Sequence, residues 1–98
     1  MTKRVFKESE TVELKERFND DVVVSLVAFA NKKGGTVYIG VSDEGKVKGM
    51  TVGKETIQNW LNEIKMKTFP NIFPEAEIIT KAKKTIVALS VQESLINL

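Results

Sequence analysis

The chain has no cysteine and no histidine. The first absence excludes disulfides and thiolate metal sites. The second excludes histidine-based triads, histidine zinc sites and imidazole acid–base chemistry. One tryptophan and one tyrosine leave no aromatic stacking platform, and there is neither an arginine-rich stretch nor a recognition-helix signature. The Gly-x-x-x-x-Gly-Lys-Ser/Thr loop is missing, which removes support for ATP binding. No apolar run approaches transmembrane length, and the N-terminal segment is not of signal-peptide type. A cytoplasmic protein with no membrane partner is therefore expected.

What remains is ordinary for a globular chain: 98 residues, 42% hydrophobic and 29% charged, enough for one domain over residues 1–98 with a modest core. The net charge of +2 says less than its distribution. Glu8, Glu10, Glu13, Glu16, Asp20 and Asp21 make an acidic front. Beyond Gly45 the balance turns basic, with Lys46, Lys48, Lys54, Lys65, Lys67, Lys81, Lys83 and Lys84. Such a split gives either a surface with two poles or a merely solvated one.

The stretch from Ala30 to Gly45 is the most specific. Gly34 suits the left-handed residue that ends a helix, and Gly35 lets the chain swing into a strand. Thr36-Val37-Tyr38-Ile39-Gly40-Val41 is β-branched, aromatic and alternating, so it reads as that strand. Ser42-Asp43-Glu44-Gly45 is a turn, and Lys46-Val47-Lys48-Gly49-Met50 alternates again, which predicts a hairpin. Lys32 and Lys33 then stand at one end of the strand, and the carboxylates Asp43 and Glu44 at the other.

Thr11 to Lys15 predicts a first strand with Val12 and Leu14 inward and Glu13 and Lys15 sharing the outward face. Val22 to Asn31 is triple-valine at its start, which favours strand, yet Val22, Leu26 and Phe29, and Val23, Leu26, Val27 and Ala30, fall at helical spacing. With Asn19 or Asp20 as cap and acidic residues first, the segment reads as a buried helix. Ile57, Trp60, Leu61, Ile64 and Met66 predict a second helix that stops before Pro70. Phe69, Ile72 and Phe73 form an apolar loop assigned to core packing. Glu75–Thr80 and Lys84–Gln92 are two further strands, with Lys81 to Lys84 as their turn. The order is β-α-β-β-α-β-β: an α+β fold whose antiparallel or mixed sheet carries both helices on one face. The ending Ser94-Leu95-Ile96-Asn97-Leu98 lacks a polar tail, so a fragment of a longer protein is expected.

Taken together, Glu8-Ser9, Glu13-Leu14-Lys15, Ala28-Phe29-Ala30-Asn31, Gly34-Gly35-Thr36-Val37-Tyr38-Ile39-Gly40-Val41, Asp43-Glu44-Gly45 and Lys48-Gly49 resemble the Schlafen/Alba-like DNA-binding domain family, over residues 8 to about 92. The resemblance implies an N-terminal module of prokaryotic transcriptional regulators, some of which carry a C-terminal winged-helix domain. In eukaryotic Schlafen proteins two such lobes cleave structured RNA with a carboxylate cluster. Carried over, that cluster is Glu8, Glu13 and Asp43, with Lys15 beside it. These would act as catalytic and metal-holding residues only in a nuclease, where Mg²⁺ or Mn²⁺ would bind oxygen ligands. No cofactor is expected otherwise.

Three readings follow. The leading one is a nucleic-acid-binding module of a transcriptional regulator, contacting phosphates of DNA or RNA through Lys15, Arg17, Lys32, Lys33, Lys46 and Lys48. The alternative is a metal-dependent ribonuclease of Schlafen type. The third is a dimerisation or interaction module, with a homodimer as its simplest form. Trp60 is assigned to the core rather than to base stacking, with Tyr38 as the fairer stacking candidate.

Overall fold

In the computed structural model, residues 6–94 are described. The first five residues of the polar lead-in and the apolar ending 95–98 lie outside them. The elements run β1 (Val12–Lys15), α1 (Asp20–Ala30), β2 (Gly34–Ile39), α2 (Thr56–Lys67), β3 (Glu75–Lys81) and β4 (Lys84–Gln92). They build one sheet in the order β1-β2-β4-β3. β1 and β2 are parallel, with α1 as the crossover, and the other pairs are antiparallel. This is the expected α+β fold with a mixed sheet. The strand expected over Lys46–Met50 is contracted to a bridge between Val41 and Val47. Its backbone closes on the preceding bend instead of running a ladder: the N–H groups of Lys48 and Gly49 both donate to the Gly40 carbonyl, at 2.7 and 2.9 Å.

α1 forms where its pattern buries most apolar surface. Asn19 caps it, its side chain accepting from the Asp21 N–H at 3.0 Å, and Asp20 and Asp21 lie in the first turn. Val22, Val23, Leu26, Phe29 and Ala30 are buried against Val37 and Ile39 of β2 and Val87 and Leu89 of β4. Burial on one stripe thus overrides the strand propensity of the valine run. The helix ends earlier than Gly34. Asn31 is the C-cap, the Lys32 N–H donates to the Phe29 carbonyl at 3.0 Å, and Gly34 opens β2 in a left-handed conformation, φ +84°. The expected backbone geometry at Gly34 is present, but it turns the chain into a strand rather than terminating a helix.

α2 packs on the same side of the sheet. Ile64 is buried, Ile57, Trp60 and Leu61 are half-buried against the same cluster, and Trp60 stacks on Phe18 with centroids 4.8 Å apart. Trp60 is therefore a packing residue, as read from the sequence. Met66 is not: it is 82% exposed, because two residues beyond Ile64 is about 200° around the helix. The following loop also departs from expectation. Ile72 is buried, yet Phe69 and Phe73 are 94% and 73% exposed. Thr68 pins the loop, donating to the Ile64 carbonyl at 2.8 Å and accepting from the Ile72 N–H at 3.0 Å, which turns only Ile72 inward.

The other face of the sheet is apolar too. Leu14, Val41 and Ile86 are buried there, with Phe6, Val12, Tyr38, Val47 and Ile79 packed around them. Tyr38 lies against Phe6, centroids 4.8 Å apart. Pairing Leu14 with Tyr38 sends Val12 and Leu14 to this second face, while Glu13 and Lys15, opposite Val37 and Ile39, lie toward the helix side. Among the described residues no helix is long and apolar enough to cross a membrane.

Lys67 links the two helices, bonding Asp20 at the start of α1 and, at 2.8 Å, Glu63 one turn earlier in α2. These two bonds, the one to Asp20 foremost, raise its pKa above the usual lysine value. A raised lysine pKa contributes stability that is present at neutral pH and lost as pH rises through the folded-state value. The urea-stability difference between the parent and Lys67→Met should therefore be measurable at neutral pH, shrink in the alkaline range, and shrink in high salt. A second expectation concerns glycine. A Cβ on Gly34 would stand 2.7 Å from the Val91 carbonyl oxygen, and one on Gly35 would stand 2.6 Å from the Phe29 ring, whereas Gly53 has ordinary space. Urea unfolding should show losses of about 2 kcal/mol or more for Gly34→Ala and Gly35→Ala, against about 0.5 kcal/mol or less for Gly53→Ala.

Candidate nucleic-acid interface

Parallel pairing puts the C-terminal ends of β1 and β2 side by side, and the chain after β2 is fastened there. The N–H groups of Gly40 and Val41 both donate to the Lys15 carbonyl, at 2.7 and 3.1 Å. A tight turn follows: Gly45 N–H donates to the Ser42 carbonyl at 2.9 Å, and the Ser42 hydroxyl accepts from the Lys46 N–H at 3.1 Å. Val47 packs into the second cluster, so its neighbours Lys46 and Lys48 are exposed. The segment is then tied to the start of β4, with Met50 N–H donating to the Thr85 carbonyl at 2.8 Å.

That last bond brings a second lysine group alongside. The β3–β4 connection is a two-residue turn, Ala82-Lys83, between the paired residues Lys81 and Lys84. Both turn residues are left-handed, φ 52° and 67°, the geometry of a type I′ hairpin that glycine and asparagine normally occupy. Lys81, Lys83 and Lys84 are exposed. The Lys84 stem crosses Gly49 so closely that a Cβ there would stand 3.1 Å from the Lys84 Cβ, and the Lys84 ammonium approaches the Val47 carbonyl at 3.5 Å. Five lysines, Lys46, Lys48, Lys81, Lys83 and Lys84, thus share one end of the sheet with the turn carboxylates Asp43 and Glu44.

The other candidates are divided. Lys15 is half-buried and paired with Glu13 at 3.7 Å, and Arg17 follows β1 as an exposed residue at the same sheet end. Lys32 and Lys33 lie at the opposite end, before β2, a strand about 17 Å long. Lys33 there pairs with Glu10 at 3.4 Å across an exposed surface. The six basic residues singled out in the sequence therefore do not make one face. The members missed there were Lys81, Lys83 and Lys84. Their run between two strands marks a basic hairpin tip, but its closeness to Lys46 and Lys48 depends on a pairing invisible in the local sequence.

The carboxylates fare similarly. Glu8 is exposed, and its Oε2 accepts from the Leu14 N–H at 3.4 Å on the outer edge of β1. Glu13 faces Lys15, and Asp43 is exposed in its turn. Among the described residues no three acidic groups are placed to hold a metal ion, so the side chains present do not fit a carboxylate cation site within one chain. A cavity of about 550 Å³, lined by Ala30, Pro70, Ile72, Phe73, Ser90 and Val91, lies at the far end of β4 from the lysines.

Comparison with curated proteins finds no match. Among solved structures, the DIP2311 protein from Corynebacterium diphtheriae is similar, with a TM-score of 0.71 and 16% identity; the match covers 88% of this chain and 21% of that one. At that identity the likeness shows the fold, and the chain spans about a fifth of the length of that protein. The Schlafen, AlbA_2 family matches residues 8–98, which includes the whole span from Glu8 to about residue 92 that carried the resemblance. With its order of elements, its Gly34–Val41 strand and this match, the chain belongs to the Schlafen, AlbA_2 family.

Proposed function

We propose that this chain is a nucleic-acid-binding module of a prokaryotic transcriptional regulator, and that it holds DNA phosphates at the sheet end where residues 46–50 adjoin the β3–β4 hairpin. The observation that carries this is the convergence of Lys46, Lys48, Lys83 and Lys84 from two segments tied by the Met50–Thr85 hydrogen bond. The family suggests a nucleic-acid-related role, and the clustered lysines favour this sheet end for it. Exposed lysines on a rigid turn and a hairpin tip meet phosphate oxygens at little ordering cost. They read no base edges, so binding is salt-dependent and only weakly sequence-selective. Sequence choice belongs to a further domain of the longer regulator. Asp43 and Glu44, at the rim of the cluster, limit its positive potential.

The hairpin adds an internal control. Two non-glycine residues at left-handed φ cost about 1 kcal/mol each. Lys83→Gly relieves that strain while removing a phosphate contact.

A duplex-DNA titration at rising salt tests the proposal. If four lysines engage phosphate, log K against log salt should fall with a slope of about −3.6. Changing Lys46, Lys48, Lys83 and Lys84 to glutamate should abolish binding at moderate salt, and Lys32→Glu with Lys33→Glu should leave it within about threefold. Lys83→Gly should raise unfolding stability by about 1 kcal/mol yet flatten the slope by about 0.9. Parent-like binding by the fourfold variant sinks the proposal.

A further inference from the structure

The two edges of the sheet are treated differently. β1 is closed by the chain itself: Ser9 bridges Val12, exchanging backbone bonds at 3.0 and 3.5 Å, and the Glu8 carboxylate takes the Leu14 N–H. Among the described residues β3 has no such cover: no backbone hydrogen bond reaches it except from β4. Its register with β4 is unbroken from Glu75 to Lys81, so no bulge twists it away, and it contains no proline. These are devices by which proteins ordinarily blunt an edge.

Which backbone groups are left open follows from the hairpin. A two-residue turn makes Lys81 and Lys84 a hydrogen-bonded pair. Alternation then directs the N–H and C=O of Glu75, Glu77, Ile79 and Lys81 toward β4, and those of Ala76, Ile78 and Thr80 outward. Three residues thus offer an open ladder with Ile78, 54% exposed, at its centre. The charges on this strand are antisymmetric about the same point: Glu75 and Glu77 precede Ile78, and Lys81 follows it.

We propose that β3 pairs antiparallel with β3 of a second copy of this chain, about a two-fold axis at Ile78, joining two four-stranded sheets into one of eight strands. In this register Ile78 faces Ile78 of the second copy, Ala76 faces Thr80, and all three outward residues bond reciprocally, giving six backbone hydrogen bonds. Glu75 lies opposite Lys81 of the second copy twice over, with Glu77 on the diagonal to the same lysine. Centring on Glu77 would oppose like charges. Centring on Ile79 would drop two of the six bonds and run the strand into the Ala82-Lys83 turn. Charge and hydrogen-bond count therefore choose one register. The open edge is short, so the dimer is weak and concentration-dependent. It does not rest on nucleic-acid binding and leaves Lys46, Lys48 and the Lys83 apex free.

Sedimentation equilibrium on the parent, Lys81→Glu, Glu75→Lys and the double reversal tests this, with circular dichroism to verify folding. The parent should show a reversible monomer–dimer equilibrium. Each single reversal should raise its dissociation constant by about tenfold or more, and the double reversal should restore it to within about threefold. Ile78→Pro, whose lost N–H faces outward, should fold and remain monomeric. Hydrogen exchange of the Ala76, Ile78 and Thr80 amides should slow with protein concentration. A parent that is monomeric throughout overturns the proposal. So does a dimer indifferent to these charges whose three amides exchange at a concentration-independent rate.

Discussion

The antiparallel pairing of β2 with β4 is the constraint on which the rest of this molecule depends. It joins residues far apart in the chain, down to the Thr36 and Ser90 hydroxyls, which bond at 2.9 Å. Its alternate residues supply both cores: Val37, Ile39, Val87 and Leu89 beneath the helices, Tyr38 and Ile86 on the other side. Once β4 lies against β2, β1 and β3 can only be edges. The β3–β4 turn must also fall at the end of the sheet where the chain leaves β2. The lysine cluster and the open edge are both consequences of that one pairing.

Charge is then sorted by position along the strands rather than by face. Lys33 is balanced by Glu10 at one end, and Lys67 by Asp20 and Glu63 on the helix side. At the other end Lys46, Lys48, Lys81, Lys83 and Lys84 outnumber the turn carboxylates Asp43 and Glu44, and Glu16 and Arg17 follow β1 there as a further opposite-charge pair of neighbours. Exposed ion pairs contribute little to stability, so the paired lysines are chiefly local solvation and helix linkage. The surplus at the hairpin end is the part available to a polyanion. The same sorting along β3 leaves a carboxylate end and an ammonium end on one open strand, which is self-complementary only when antiparallel.

Much of this was legible in the sequence where local chemistry decides. Asn19-Asp20-Asp21 ahead of Val22, Leu26 and Phe29 announced α1, and β-branched alternation announced β2 and β4. Glu13 and Lys15 do share one face, but it is the half-buried helix side rather than the outward face expected. Three things were not legible, each for a non-local reason. Met66, Phe69 and Phe73 are apolar yet exposed, because a helix face and the hydrogen bonds of Thr68 chose Ile64 and Ile72 instead. Residues 46–50 alternate like a strand, but the Gly40 carbonyl takes the N–H groups of both Lys48 and Gly49 and folds the segment into a closed loop. The basic candidates looked like one set, but β2 separates Lys32 and Lys33 from Lys46 and Lys48, while β4 adds Lys83 and Lys84.

The proposed interface makes one surface of two segments more than thirty residues apart in the chain. Amide chemical-shift mapping during addition of a short DNA duplex at low salt tests it most directly. Perturbations should concentrate in residues 46–50 and 81–85 and move with a single apparent affinity, while residues 31–35 stay still. Perturbations centred on Lys32 to Gly35, or two groups with unrelated affinities, would contradict it.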